Sequence, residues 1–203
     1  KLKNPLILAM SLKNCLALLF VLAFLSFLVQ SDFGNVNVKS HTLYSSNNQY
    51  VVYDLYKPSS ASKENKAPFI VVVPGFQRSK EALSNIAIEL SRRGNVVALI
   101  DPYAQGMSSS SLSRRAATTE GYGMFALIDT VSKGNLFDFV DTDKMASTGH
   151  SMGGNAAIRG ANYFGKEAIR ENKKSKLNGL VNSFCEHVCD HQNSRSRLEL
   201  QYH

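Results

Sequence analysis

The sequence predicts an α/β domain built on a mostly parallel, doubly wound sheet and preceded by a hydrophobic helix. Three observations carry that prediction. "FIVVVPG" (Phe69 to Gly75) and "NVVALID" (Asn95 to Asp101) are apolar without polar alternation, as strands covered by helices on both faces require. Between them, Ala82, Leu83, Ile86, Ala87 and Leu90 fall on one helical face. Finally, "ASTGHSMGGNAA" (Ala146 to Ala157) sets a serine between glycines where a small, strand-like run passes into a helix-like one. With 203 residues and 44% hydrophobic content, the chain suffices for one domain with a real core and not comfortably for two.

The N-terminus differs in kind from the rest. "CLALLFVLAFLSFLV" (Cys15 to Val29) carries no charge, and Pro5 to Met10 is apolar as well. A spanning helix needs about 20 residues, which the stretch from Leu12 onward supplies if Lys13 snorkels to the headgroups. Lys1, Lys3 and Lys13 form a basic flank, no A-x-A site follows, and "VQS" (Val29 to Ser31) is only a tolerable cleavage site. Residues 1–31 therefore read as an uncleaved signal-anchor, with a cleaved signal peptide as the alternative. In both cases the basic end stays in the cytoplasm and the remainder is exported, either membrane-anchored or secreted. A first residue of Lys in place of Met is compatible with further residues upstream.

The exported part, residues 32–183, alternates strand and helix. "SHTLYS" (Ser40 to Ser45) and "YVVYDLYKP" (Tyr50 to Pro58) read as an antiparallel pair joined by a short turn. The polar "SSASKENKA" is a surface loop before the central strand at Phe69. A helix over Ser79 to Arg93 ends with two arginines and the stop Gly94. After the strand at Asn95 comes the Gly- and Ser-rich loop "PYAQGMSSSS". A helix over about Glu120 to Lys133, a strand over Asp143 to Gly149, a helix from Met152 to about Gly165 and a strand over Lys176 to Ser183 complete the series. Residues 184–203 lose the pattern of buried strands and read as an irregular tail.

"GHSMG" (Gly149 to Gly153) fits G-x-S-x-G in the strand-then-helix setting that gives this motif meaning. A sharp strand-to-helix turn crowds the serine's neighbours, and glycine two residues either side relieves the clash. Ser151 is thus the candidate nucleophile, with Gly149 and Gly153 as the elbow glycines. The bland reading, a Gly-rich turn with a capping serine, leaves the second element unexplained. That element is "VVVPGF", a buried strand ending at Pro74-Gly75-Phe76, where the Phe76 N–H can join that of Met152 to hold the oxygen of a tetrahedral intermediate. Gly154, Ala156, Ala157, Gly160 and Ala161 keep the following helix slender, so that its positive end lies under the site.

With "PGF" and "GHSMGG" the exported region resembles the α/β-hydrolase superfamily, and most of all its dienelactone-hydrolase and bacterial polyester-hydrolase-like serine esterase branches, over roughly Val51 to Ser183. The likeness implies Ser151 as nucleophile, an oxyanion hole from the main-chain N–H groups of Phe76 and Met152, and His150 flanking the nucleophile without serving as its base. It also implies a structural Asp101 in "DPYAQG", small-molecule or acyl ester substrates, and no cofactor. The family's order is Ser, acid, His, with the last two after later strands. Here only His187, His191 and His203 follow, and Asp190 paired with His203 is a conceivable but poorly placed acid and base. The domain is therefore expected to be C-terminally incomplete.

Other classes are disfavoured. The net charge of +7 is scattered, apart from "KEAIRENKKSK" (Lys166 to Lys176), and no aromatic-interleaved basic stripe marks nucleic-acid binding. "FCEHVCDH" spaces Cys185, His187, Cys189 and His191 by two, unlike known zinc spacings, so no metal site is assigned; a local Cys185–Cys189 disulfide is conceivable on an oxidising side. The function that follows is ester hydrolysis through an acyl-enzyme on Ser151. Its rivals are a non-catalytic, membrane-associated binding module on the same scaffold, or acyl transfer or peptide hydrolysis there.

Overall fold

A computed structural model of the chain describes residues 12–45, 48–110, 120–134, 136–170 and 183–184. The conceivable Cys185–Cys189 pairing, the histidines and Asp190 of the tail, and most of the strand expected over Lys176 to Ser183 lie outside the described residues.

Helix α1 (Leu12–Gln30) is apolar along its length and projects its side chains outward; its Leu12–Val29 window, with mean hydropathy 2.3, is long and apolar enough to cross a membrane. It joins the domain through a short 3-10 turn at Asp32–Gly34. The Arg92 guanidinium donates to the Val29 carbonyl at 2.8 Å and pairs with Asp32 at 3.1 Å, so the helix end is fastened by a residue of the domain.

Six strands follow: β1 (Val36–Tyr44), β2 (Tyr50–Pro58), β3 (Ala67–Val73), β4 (Val96–Ile100), β5 (Val140–His150) and β6 (Ser183–Phe184). They lie in the order β1-β2-β4-β3-β5-β6. The β1–β2 and β2–β4 pairs are antiparallel, and β4–β3, β3–β5 and β5–β6 are parallel. The antiparallel hairpin and the parallel centre are as the sequence predicts. β1 starts four residues earlier than expected because Val36, buried, pairs with Pro58 and so extends the ladder along all of β2.

Both faces of the sheet are covered, which is why its central strands are apolar at every position. On β4, Val96, Ala98 and Ile100 face one side, and Val97 and Leu99 the other. The first side packs against α3 (Met124–Ser132), through Met124, Leu127, Ile128 and Val131, and against α4 (Met152–Arg170), through Ala156 and Phe164. The second packs against α2 (Ser84–Arg92) through Ala87, with Leu83, Ile88 and Leu90 at its margin.

Two helices begin differently from the sequence expectation. The turn before α2 is 3-10 over Lys80–Leu83, and the Lys80 N–H, instead of entering a helix, donates to the Asp101 carboxylate at 2.7 Å. The helix expected from Glu120 starts at Met124, after a kinked 3-10 turn at Gly121–Gly123. Gly121 sits at φ +52, and a Cβ there would lie 2.4 Å from the Phe125 ring, so a regular helix cannot run through it. Strand β5 absorbs the polar "VDTDK" through a register shift opposite Pro68/Phe69, a bulge that alternating hydrophobicity does not reveal.

Candidate active site

The geometry of the site follows from one register. Strands β3 and β5 are parallel and aligned from Phe69↔Met145 through Val73↔Gly149. The chain therefore leaves both strands at the same level, Pro74-Gly75-Phe76 from one and His150-Ser151-Met152 from the other. In an open parallel sheet, the crevice outside the carboxyl ends of adjacent strands is where ligands bind.

At the end of β5 the backbone reverses into α4 within two residues. Ser151 takes φ 53, a left-handed conformation that costs a side-chain-bearing residue about 1–2 kcal/mol. Its carbonyl accepts the first bond of α4, from the Asn155 N–H at 3.0 Å, while its side chain is half-exposed. The amides of Met152 and the next residues have no intrahelical acceptor and carry the positive end of the helix dipole. The bend is possible only with glycine on both sides. A Cβ on Gly149 would lie 2.5 Å from the Val73 carbonyl oxygen and from Gly153 backbone; one on Gly153 would lie 2.0 Å from that same oxygen. Both obstacles are main chain of neighbouring elements and cannot swing aside. Gly154, Ala156, Ala157 and Gly160 are buried, as expected of a helix packed close to the sheet.

The loop leaving β3 passes against this bend. A Cβ on Gly75 would sit 3.4 Å from the Ser151 Cβ and 3.0 Å from the His150 Nδ1. Residues 75–78 form a turn closed by the Arg78 N–H on the Gly75 carbonyl at 3.2 Å, with Gln77 at φ 56. Phe76 stands at its tip, 68% exposed. The structure thus brings Phe76, Ser151, Met152 and the two elbow glycines to one place, with His150 exposed beside them.

Asp101, at the end of β4, is 1% exposed and fully engaged. One carboxylate oxygen accepts the Lys80 N–H and the other accepts the Met107 N–H at 3.0 Å, while its carbonyl accepts the Ser108 hydroxyl at 2.7 Å. Gly106, at φ +53, packs so tightly on it that a Cβ would overlap the carboxylate. Asp101 therefore ties the loop after β4 to the start of the 3-10 turn, in keeping with a structural part. The neighbouring Lys80 ammonium pairs with Glu81 at 2.7 Å and Asp54 at 3.4 Å. Burial pulls Lys80 down, but Glu81, Asp54 and Asp101 together hold it above its usual value. Hydrogen bonds from Lys80 and Ser79 hold the Glu81 carboxyl down at about 2.

Two histidines fall among the described residues. His41, on β1, stacks on Tyr53 at 5.5 Å and meets Phe137 edge-on, well away in sequence and pairing from β3 and β5. Burial raises the Tyr53 hydroxyl to about 12. His187, His191, His203 and Asp190 lie outside the described residues, and no group of His, Cys, Asp and Glu fit to hold a metal occurs among those described. One contact at the site had no signal in the sequence: the Gln105 Oε1 accepts the Gln77 N–H from 28 positions away in the chain.

The sequence profile of the PET hydrolase-like family matches residues 26–170. No curated protein sequence matches the chain. Among solved structures, the α/β-hydrolase GrgF from a Penicillium species is similar with a TM-score of 0.57 at 15% identity, over 81% of this chain and 53% of that one. Esterase Est22 is similar with a TM-score of 0.56 at 15% identity, over 85% and 51%. Brefeldin A esterase, a bacterial homologue of human hormone-sensitive lipase, gives 0.55 at 14% identity, over 78% and 44%. The chain thus spans about half the length of the solved structures it matches.

Proposed function

The chain belongs to the PET hydrolase-like family of α/β-hydrolases, and from that premise we propose that it is a serine esterase, cleaving carboxylic esters through an acyl-enzyme on Ser151. The single observation that carries the reading is the left-handed Ser151, half-exposed on a glycine-locked bend against the Gly75 turn. Left-handed backbone recurs at other non-glycine positions here, Gln77 among them, and what sets Ser151 apart is that its strain coincides with the G-x-S-x-G bend at the carboxyl end of a parallel strand. Functional sites are where such strain recurs.

In the proposed reaction, the Ser151 Oγ attacks the ester carbonyl carbon while its proton passes to a base. The carbonyl oxygen becomes an oxyanion between the main-chain N–H groups of Phe76 and Met152, next to the positive end of α4. Collapse of the tetrahedral intermediate expels the alcohol, which takes up the proton, and leaves the acyl group on Ser151. Water, deprotonated by the same base, then releases the acid. The base and its acid partner are left unassigned; the downstream His187, His191, His203 and Asp190 lie outside the described residues. The mechanism calls on no cofactor. The apolar helix α1 supports a signal-anchor or signal peptide with the hydrolase domain exported, and we read it as the anchor.

A fluorophosphonate probe tests this directly. The parent chain is expected to take the label, and Ser151→Ala is expected to lose it while keeping its circular dichroism spectrum. A folded parent that takes no label favours the non-catalytic binding module instead.

A further inference from the structure

The turn that carries Phe76 is held by little apolar packing: Phe76 itself is 68% exposed, and Gln77 occupies left-handed backbone that a side chain disfavours. Two hydrogen bonds define it. The Gly75 carbonyl accepts the Arg78 N–H, and this carbonyl belongs to the same peptide plane as the Phe76 N–H, pointing the opposite way. The next peptide plane presents the Gln77 N–H, which the Gln105 Oε1 accepts. Together the two bonds set the direction in which the Phe76 N–H faces.

Gln105 is well mounted for this. Its own N–H donates to the Pro102 carbonyl at 3.0 Å, its carbonyl accepts the Ser108 N–H at 3.3 Å, and its loop is fastened by the buried Asp101. The far end of the side chain supplies a second, independent sign. The Gln105 Nε2 is enclosed and finds no acceptor among the described residues. Native structures seldom leave a buried donor unpaired without a reason, and a residue needed only to fill that space would be apolar.

We propose that Gln105 is a positioning residue for the oxyanion hole: its Oε1 clamps the Gln77 N–H and so aims the Phe76 N–H toward Ser151. The proposal rests on the reading of Ser151 as nucleophile. It assigns no bond to the substrate; Gln105 acts through the turn.

Gln105→Met keeps the length of the side chain and removes the acceptor, whereas Gln105→Glu keeps an acceptor. In the full chain, Q105M is expected to slow fluorophosphonate labelling of Ser151 by about tenfold or more, the scale set by misplacing a catalytic group by a fraction of an ångström. The Gln77 amide should exchange its hydrogen faster in Q105M and regain protection in Q105E, which should also label faster than Q105M. With an ester substrate, the loss should fall on kcat with KM unchanged. Labelling of Q105M within about twofold of the parent, or Gln77 exchange unmoved by the substitution, overturns the proposal. A parent that takes no label, while Gln77 exchange still responds to Q105M, overturns instead the nucleophile reading and leaves the clamp standing.

Discussion

The two halves of the candidate site are built on opposite principles. The bend at Ser151 is fixed by exclusion: Gly149 lies against the main chain of Val73 and Gly153, and Gly153 against the main chain of Val73 and Pro74, with no room for a Cβ at either. The turn at Phe76 is fixed by attachment, through one bond inside the turn and one from Gln105, with its tip in solvent. A nucleophile must not move, and packing of main chain against main chain gives that rigidity. Amides that receive a developing charge need direction, which hydrogen bonds supply. Substitutions of the bend's glycines, Gly149 and Gly153, should therefore break the fold, and substitutions in the turn should chiefly change rate.

The largest expected effect separates the chemistry from both scaffolds. Ser151→Ala should abolish fluorophosphonate labelling, a fall of more than about 1,000-fold, while shifting denaturant stability by less than about 0.5 kcal/mol. Next comes Gly153→Ala, whose Cβ would overlap the Val73 carbonyl; a loss of at least about 3 kcal/mol is expected from the urea midpoint, since neither strand nor helix can yield. Asp101→Ala leaves the Lys80 and Met107 N–H groups without their buried acceptor, for a cost of about 2 kcal/mol by the same measurement. Because the loop it anchors bears Gln105, labelling should slow as well, a coupling that the bend would not show.

Smaller still is Gly75→Ala. Its Cβ would meet a histidine side chain at 3.0 Å and the Ser151 Cβ at 3.4 Å, and the exposed His150 can turn away. Less than about 1 kcal/mol of stability should be lost. If this substitution proves as damaging as Gly153→Ala, the contrast between the two regions fails. The smallest effect is one of pH. The Glu81 carboxyl is held at about 2 by Lys80 and Ser79, below its ordinary value of 4.5, so it contributes stability that is present above about pH 4.5 and is lost as pH falls toward 2. Glu81 is largely exposed and solvent screens the pair, so thermal unfolding across that window should show less than about 1 kcal/mol, absent in Glu81→Gln.

Much of this arrangement was legible locally. The uninterrupted apolar runs at Phe69 and Val96 announced strands covered on both faces, and the alternation of β4 side chains between two cores bears that reading out. The Gly-x-Ser-x-Gly stretch gave away its bend because the steric demand on Gly149 and Gly153 is visible in residue type alone. The early start of β1, the bulge in β5 and the late start of α3 were not legible. The first two depend on partners distant in sequence, Pro58 for Val36 and Pro68 and Phe69 for the bulge, and the third on how the Phe125 ring, four residues on, packs over Gly121.

What the sequence by itself determined is the chemistry on offer: an apolar helix able to enter a membrane, a covered parallel sheet, and a serine that can stand on a tight bend. Those follow from periodicity and from the sizes of side chains near one another in the chain. Only the tertiary structure decided that β3 and β5 end at the same level, so that Gly75 abuts Ser151, and that Gln105 reaches Gln77. Register and loop-to-loop hydrogen bonds join residues far apart along the chain, and which of many equivalent partners meet is settled by packing the whole sheet and its helices at once.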